Sequence, residues 1–155
     1  MKQGKLYLLW IGVTEGVGIL AGLLTMDAMD QYGQVIVQPP FAPPAWVFPV
    51  VWILLYALMG IGAAKISMSP DSPYRNRALN VFVAQLIVNF FWSLIFFRAG
   101  AYEFAFLWLL LLWVLVLWMI IAFYKVDKPA AVMQIPYLLW VSFAAYLNYW
   151  VWQLN

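Results

Sequence analysis

The sequence predicts an all-α integral membrane protein, a single bundle of five transmembrane helices with its N-terminus inside and its C-terminus outside. Three observations lead there. Apolar residues make up 67 % of the 155-residue chain and charged residues only 9 %, against about 45–50 % and about 25 % in soluble globular proteins. Eight Lys/Arg and six Asp/Glu are too few to cover a soluble fold of this size, so lipid must be the solvent. Five apolar runs are each long enough to cross roughly 30 Å of hydrocarbon, which takes about 20 residues at 1.5 Å per residue.

The first run, 6–26, is apolar except for Thr14, Glu15 and Thr25. Lys2 and Lys5 precede it and no small-residue cleavage site follows, so it reads as a retained span rather than a signal peptide. Glu15 is the one ionisable residue well inside a span. A carboxylate there is costly and is expected to face the interior or water, or to be protonated, either as a proton or ligand contact or as a protonated carboxyl hydrogen-bonded to a neighbour. Residues 27–43 form the one long connector, and its Gln38-Pro39-Pro40-Phe41-Ala42-Pro43-Pro44 stretch is incompatible with regular helix. A long loop on a small bundle is usually functional.

The second span, 44–66, carries no charge before Lys65, and the Ser- and Pro-rich turn Ser67–Pro73 ends it. The third, 76–98, is uncharged between Arg77 and Arg98. The fourth, 103–125, is apolar from Phe104 to Tyr124, and the fifth, 129–153, follows a turn at Asp127-Lys128. Short turns make consecutive helices antiparallel neighbours. With the N-terminus inside, seven of the eight Lys/Arg fall on that side (Lys2, Lys5, Lys65, Arg75, Arg77, Lys125 and Lys128) and only Arg98 on the other. That asymmetry sets the orientation.

Several chemistries are excluded. Without cysteine or histidine there are no disulfides, thiol sites, His-based acid/base catalysis or zinc sites of the usual kind, and a dispersed net charge of +2 marks no nucleic-acid surface. What remains is aromatic: 19 % of the chain, with ten Trp. Polar and small residues mark the buried faces of membrane helices. Gln85, Asn89, Trp92 and Phe96 share one face of the third span. Trp140, Phe143, Ala144, Leu147 and Asn148 share one of the fifth, and Trp52, Tyr56 and Met59 one of the second, with Trp46 at its mouth. The amides alone could be interhelical glue, but three such stripes point to an aromatic-lined interior pocket. Trp108, Trp113 and Trp118 stand five residues apart, spiral around their helix, and are expected to meet lipid or another subunit. Trp10, Tyr7, Tyr124, Trp150 and Trp152 read as interfacial belt.

These residues resemble a known family. Pro43-Pro44-Ala-Trp46 followed by Pro49, Trp52 and Leu55-Tyr56 is similar to the PP-x-W-x-x-x-P-x-x-W-x-x-L-Y pattern of the translocator protein, or tryptophan-rich sensory protein, family. Gln85-Leu86, Asn89, Trp92 and Phe96-Phe97 resemble its third-helix pattern. Pro136-Tyr137, Trp140, Phe143-Ala144 and Leu147-Asn148 resemble its fifth. The resemblance implies a five-helix membrane protein, commonly a homodimer, that binds porphyrins and other hydrophobic ligands beneath its first loop, with no cofactor required beyond the tetrapyrrole ligand itself. Carried over by motif, the pocket takes in Trp46, Trp52, Asn89, Trp92, Trp140, Phe143, Ala144 and Leu147, with Phe104 where many relatives have Trp. Tyr32, Tyr56, Phe96 and Asn148 complete the candidate ligand-binding set.

The chain departs from the family at Phe41, in place of a loop Trp, and at Gln38-Pro39, in place of Lys-Pro. Ser93-Leu94 replaces a proline-containing step, which predicts a straighter third helix. The dimer motif reads Asn80-xxx-Ala84. No Lys or Arg follows Tyr149, so cholesterol recognition through the C-terminal segment is not expected. The main expectation is a tetrapyrrole-binding sensor or carrier in the cell membrane, a bacterial plasma membrane in the absence of a targeting presequence. The alternatives are a light-dependent porphyrin-degrading enzyme using Trp52 and Trp140, or an accessory subunit without ligand.

Overall fold

The computed structural model describes residues 2–155, and helices are its only regular elements, with no strands among those residues. Five helical spans are long and apolar enough to cross a membrane. Helix α1 runs Gln3–Val35, α2 Val47–Ser67, α3 Pro73–Ser93, α4 Tyr102–Tyr124, α5 Lys128–Val132 and α6 Ile135–Leu154. The last two together make the fifth span. The chain alternates direction, which gathers Lys2, Lys5, Lys65, Arg75, Arg77, Lys125 and Lys128 at one end and leaves Arg98 at the other.

Local chemistry sets two of the helix starts. Ser72 caps α3, its hydroxyl accepting from the Arg75 N–H at 3.1 Å, and Pro73 occupies the first turn, where no donor is needed. Asp127 caps α5 in the same way, accepting from the Ala130 N–H at 3.0 Å ahead of Pro129.

Three expectations need correction. The 27–43 segment is not a loop throughout, because α1 continues to Val35 and spans 33 residues, about 50 Å. Polarity ends the apolar run at Met26, but Asp27, Asp30 and Gln31 do not break a helix; Pro39-Pro40 is the first real stop. The connector proper is therefore residues 36–46. The third span is not straighter at Ser93-Leu94, where α3 passes into a π-turn over Leu94–Arg98, with Ala99 N–H donating to the Leu94 carbonyl at 2.9 Å. The fifth span is not one helix. Pro136 has no N–H for the Val132 carbonyl, and the helix breaks at Met133-Gln134.

The core lies between α2, α3, α4 and α6, around Met59, Phe82, Val116, Phe123, Tyr137 and Val141, all fully buried. Close approach depends on small residues: α1 crosses α2 where Gly60 faces the backbone of Ile11. The Thr14 hydroxyl secures the crossing by donating to the Tyr56 carbonyl at 2.7 Å. Trp10, expected in the interfacial belt, turns its ring toward the bundle. Its indole donates to Ser67 at 3.1 Å and its ring meets Phe82 edge-on. Trp108 and Trp113 likewise reach neighbouring helices, donating to the Val88 carbonyl at 2.7 Å and the Ser142 hydroxyl at 2.8 Å, while Trp118 stays exposed. Spiral placement on a helix does not prevent a long indole from pegging an adjacent one.

Candidate ligand-binding site

The inward stripes of α2, α3 and α6 meet in a buried hydrogen-bond chain. Tyr56 of α2 donates its hydroxyl to Asn89 Oδ1 at 2.5 Å, and Asn89 Nδ2 donates to the Tyr137 hydroxyl at 2.7 Å. Tyr137 in turn donates to Gln85 Oε1 at 2.7 Å. All four residues are buried, so each polar group finds its partner inside the protein, as a lipid environment requires. Tyr137 is the member that periodicity missed. It stands three residues before Trp140 on the same helix face, and that spacing was the available signal.

Aromatic rings extend outward from this chain. Trp52 stacks on Tyr56 at 5.6 Å and meets Trp140 and Tyr137 edge-on, each at 6.4 Å. Trp140 also contacts Phe48 at 5.7 Å and Phe143 at 5.5 Å. Across these rings the backbones of α2 and α6 stay apart, which leaves an apolar groove of about 440 Å³. Val51, Leu54, Leu55 and Leu58 form one wall; Pro136, Leu139, Trp140 and Phe143 form the other. Leu54 and Leu139 are each at least 60 % exposed, so the groove opens sideways, toward lipid rather than toward water. Its volume is that of a small-molecule site, about 300–1,000 Å³. The Trp140 indole N–H is buried and has no acceptor.

The remaining candidates form a second cluster at the Arg98 end. Tyr32 contacts Phe96 at 5.3 Å and Phe97 at 5.2 Å, and Trp92 stacks on Phe96 at 5.1 Å. The Trp92 indole donates to Asn148 Oδ1 at 3.1 Å, and Asn148 Nδ2 donates to the Tyr102 carbonyl at 2.9 Å. The π-turn supplies this cluster with two adjacent phenylalanines, and Arg98 ties it to α1 by donating Nε to the Leu24 carbonyl at 2.7 Å. Ala144 and Leu147 are buried along α6 between the clusters.

Two candidates are not brought to either cluster. Trp46 is 67 % exposed at the start of α2, and Phe104 is 53 % exposed and stacks on Trp108 along the outer face of α4. Position along a helix, at the mouth of the second span for Trp46 and by motif for Phe104, does not fix the direction of a side chain. The connector covers the end of α6 instead: Phe41 stacks on Tyr146 at 5.0 Å, and the Asn155 side chain brackets Val37, accepting from its N–H at 3.0 Å and donating to its carbonyl at 2.8 Å. Glu15 is half-buried and forms no side-chain hydrogen bond among the described residues, so the expected polar partner is not seen there. No group of three or more metal-ligating acidic side chains comes together among those residues.

Comparison with known proteins agrees with the architecture. The model of the TspO/MBR family matches residues 10–153. The chain is 35 % identical to the tryptophan-rich protein TspO of Chlorobaculum tepidum, over 99 % of this chain and 98 % of that one. It is 38 % identical to protein CrtK of Rhodobacter capsulatus, covering 76 % of this chain and 74 % of the relative. The translocator protein of Ovis aries is 37 % identical, covering 76 % and 71 %. A family match over nearly the whole length, on a bundle of five apolar helical spans, makes this chain a multi-pass membrane protein that belongs to the TspO/MBR family.

Proposed function

We propose that the protein is a membrane receptor or carrier for a flat hydrophobic ligand of the tetrapyrrole class, taken up from the lipid phase against Trp140. One observation carries the reading: Trp140 walls a laterally open apolar groove, is in edge-on contact with Trp52 and Phe48, and holds an indole N–H without an acceptor. An unpaired buried donor costs about 1–3 kcal/mol. A ligand with a polar edge would relieve that cost after a small rotation of the ring, and its faces would stack on Trp140 and Phe143. The groove is apolar on both walls, so the ligand's body must be apolar and its charged groups must stay near the membrane surface.

The relatives' names support a sensing or translocating role, among them a tryptophan-rich sensory protein of Cereibacter sphaeroides, 32 % identical over 81 % of this chain. The bacterial relatives and the seven cations at one end support a cell membrane location with that end in the cytoplasm. The test is a titration of the full-length protein in detergent with protoporphyrin in the dark, following Trp emission beside Trp140→Ala. Saturable fractional quenching that the substitution abolishes is the expected result. Identical, non-saturating quenching in both proteins would mean that porphyrin merely partitions into the micelle, and the reading would fall.

A further inference from the structure

A second groove, of about 470 Å³, lies between α3 and α4 at the cation-rich end, on the face of Asn80 and Ala84. Its composition changes with depth. Asn76, Arg77 and Asn80 line it near the start of α3; Ala84, Leu115 and Trp118 line it further in. Arg77, Asn80 and Ala84 follow an i, i+3, i+7 spacing, so they descend one helix face. At 1.5 Å per residue, Arg77 sits about 6 Å below the first residue of α3 and Ala84 about 16 Å below it. The guanidinium and amides therefore stand at the polar end of the span, and the apolar walls reach about 10 Å further along it, the order of a headgroup and its acyl chain.

Arg77 is exposed and takes part in no ion pair among the described residues; the one salt bridge at this end joins Arg75 to Asp71 at 3.4 Å. Lys125 and Lys128 form no ion pair among the described residues either. The Lys125 and Lys128 ammonium groups lie over the Tyr74 and Tyr124 rings, at 6.0 and 5.6 Å. This end therefore offers uncompensated positive charge beside a slot whose apolar part runs inward.

We propose that this groove is a binding site for an anionic phospholipid, with its phosphate held by Arg77 and the Asn76 and Asn80 amides and one acyl chain lying along Ala84, Leu115 and Trp118. A guanidinium matches a phosphodiester by paired N–H donors, and a basic slot between helices on the cytoplasmic side suits such headgroups. A second copy of the chain fits this face less well. Symmetric pairing would set Arg77 against its own counterpart, with no acidic residue among the groove-lining residues to separate them.

The experiment is native mass spectrometry of the full-length, detergent-solubilised protein, offered phosphatidylglycerol and phosphatidylcholine with the same acyl chains. Parallel samples receive glycerol phosphate without chains. Wild type is compared with Arg77→Gln and Arg77→Lys, both on an exposed side chain and so not expected to disturb folding, and with Ala84→Leu, which fills the apolar half. Wild type should retain phosphatidylglycerol about fivefold over phosphatidylcholine, the factor for one basic residue facing an anionic lipid. Arg77→Gln should lose that preference, Arg77→Lys should keep part of it, and Ala84→Leu should lower retention of both lipids. Glycerol phosphate alone should not be retained. Equal retention of the two lipids by wild type, or a preference unchanged in Arg77→Gln, overturns the proposal. Retention of glycerol phosphate as strong as that of the lipid would make the site one for free phosphate, and a dimer that Ala84→Leu dissociates would make it an interface between copies; either also overturns it.

Discussion

Replacing Tyr137 by Phe removes one oxygen from the centre of the bundle and leaves the ring in place. The hydroxyl makes two hydrogen bonds of 2.7 Å, accepting from Asn89 Nδ2 and donating to Gln85 Oε1, and the residue is fully buried. Without it, one Asn89 N–H and the Gln85 carbonyl lose their partners among buried neighbours. Hydrogen bonds between membrane helices average about 0.6 kcal/mol and reach roughly 1.7, while an orphaned buried group costs about 1–3 kcal/mol. Two bonds therefore place the loss at about 1–3 kcal/mol. Titration of the purified protein from mild micelles into a denaturing detergent, read by Trp emission, measures it. The double variant Gln85→Leu/Tyr137→Phe adds a sharper criterion. With the stranded acceptor also gone, its loss should be smaller than the sum of the two single losses. A Tyr137→Phe protein within about 0.5 kcal/mol of wild type, or strict additivity in the double variant, would refute the hydrogen-bond chain as a stabilising unit.

Two more predictions test other contacts. A Cβ at Gly60 would lie 2.5 Å from Ile11 Cα and 2.8 Å from its N, both backbone atoms that cannot rotate away, so Gly60→Ala should push α1 off α2 and cost about 1–3 kcal/mol in the same assay. Gly12→Ala, on the open side of α1, meets nothing within 4 Å and should be neutral or stabilising by about 0.5–1 kcal/mol; the reverse order would refute the α1–α2 crossing. Asn155→Ala removes both bonds to Val37, and because these are exposed the global loss should stay below about 1 kcal/mol. Hydrogen exchange at the Val37 amide should quicken several-fold, and unchanged protection would show that the clamp does not hold the connector.

Much of this molecule was legible in its sequence because lipid imposes simple rules. Composition alone required a membrane, apolar run lengths counted the spans, and Lys/Arg positions sorted the ends. The i, i+4, i+7 spacing of Gln85, Asn89 and Trp92 showed the inward face of α3, since an amide has nowhere else to go in hydrocarbon. Other features depend on distances between helices, which no single stretch encodes. The end of α1 cannot be read from polarity, which marks the edge of the bilayer rather than the end of a helix. The division of the aromatic residues into a cluster around Trp52 and Trp140 and another around Trp92 and Phe96 is visible only once the helices are packed. Trp46 and Phe104 show the same limit from the other side. Position along their helices puts them beside the site, and only packing turns their rings outward. Tertiary structure alone decided that α2 and α6 stand apart across their tryptophans, and so that the groove opens to lipid, because a gap between helices depends on the ring sizes at the contact and the angle at which the helices cross.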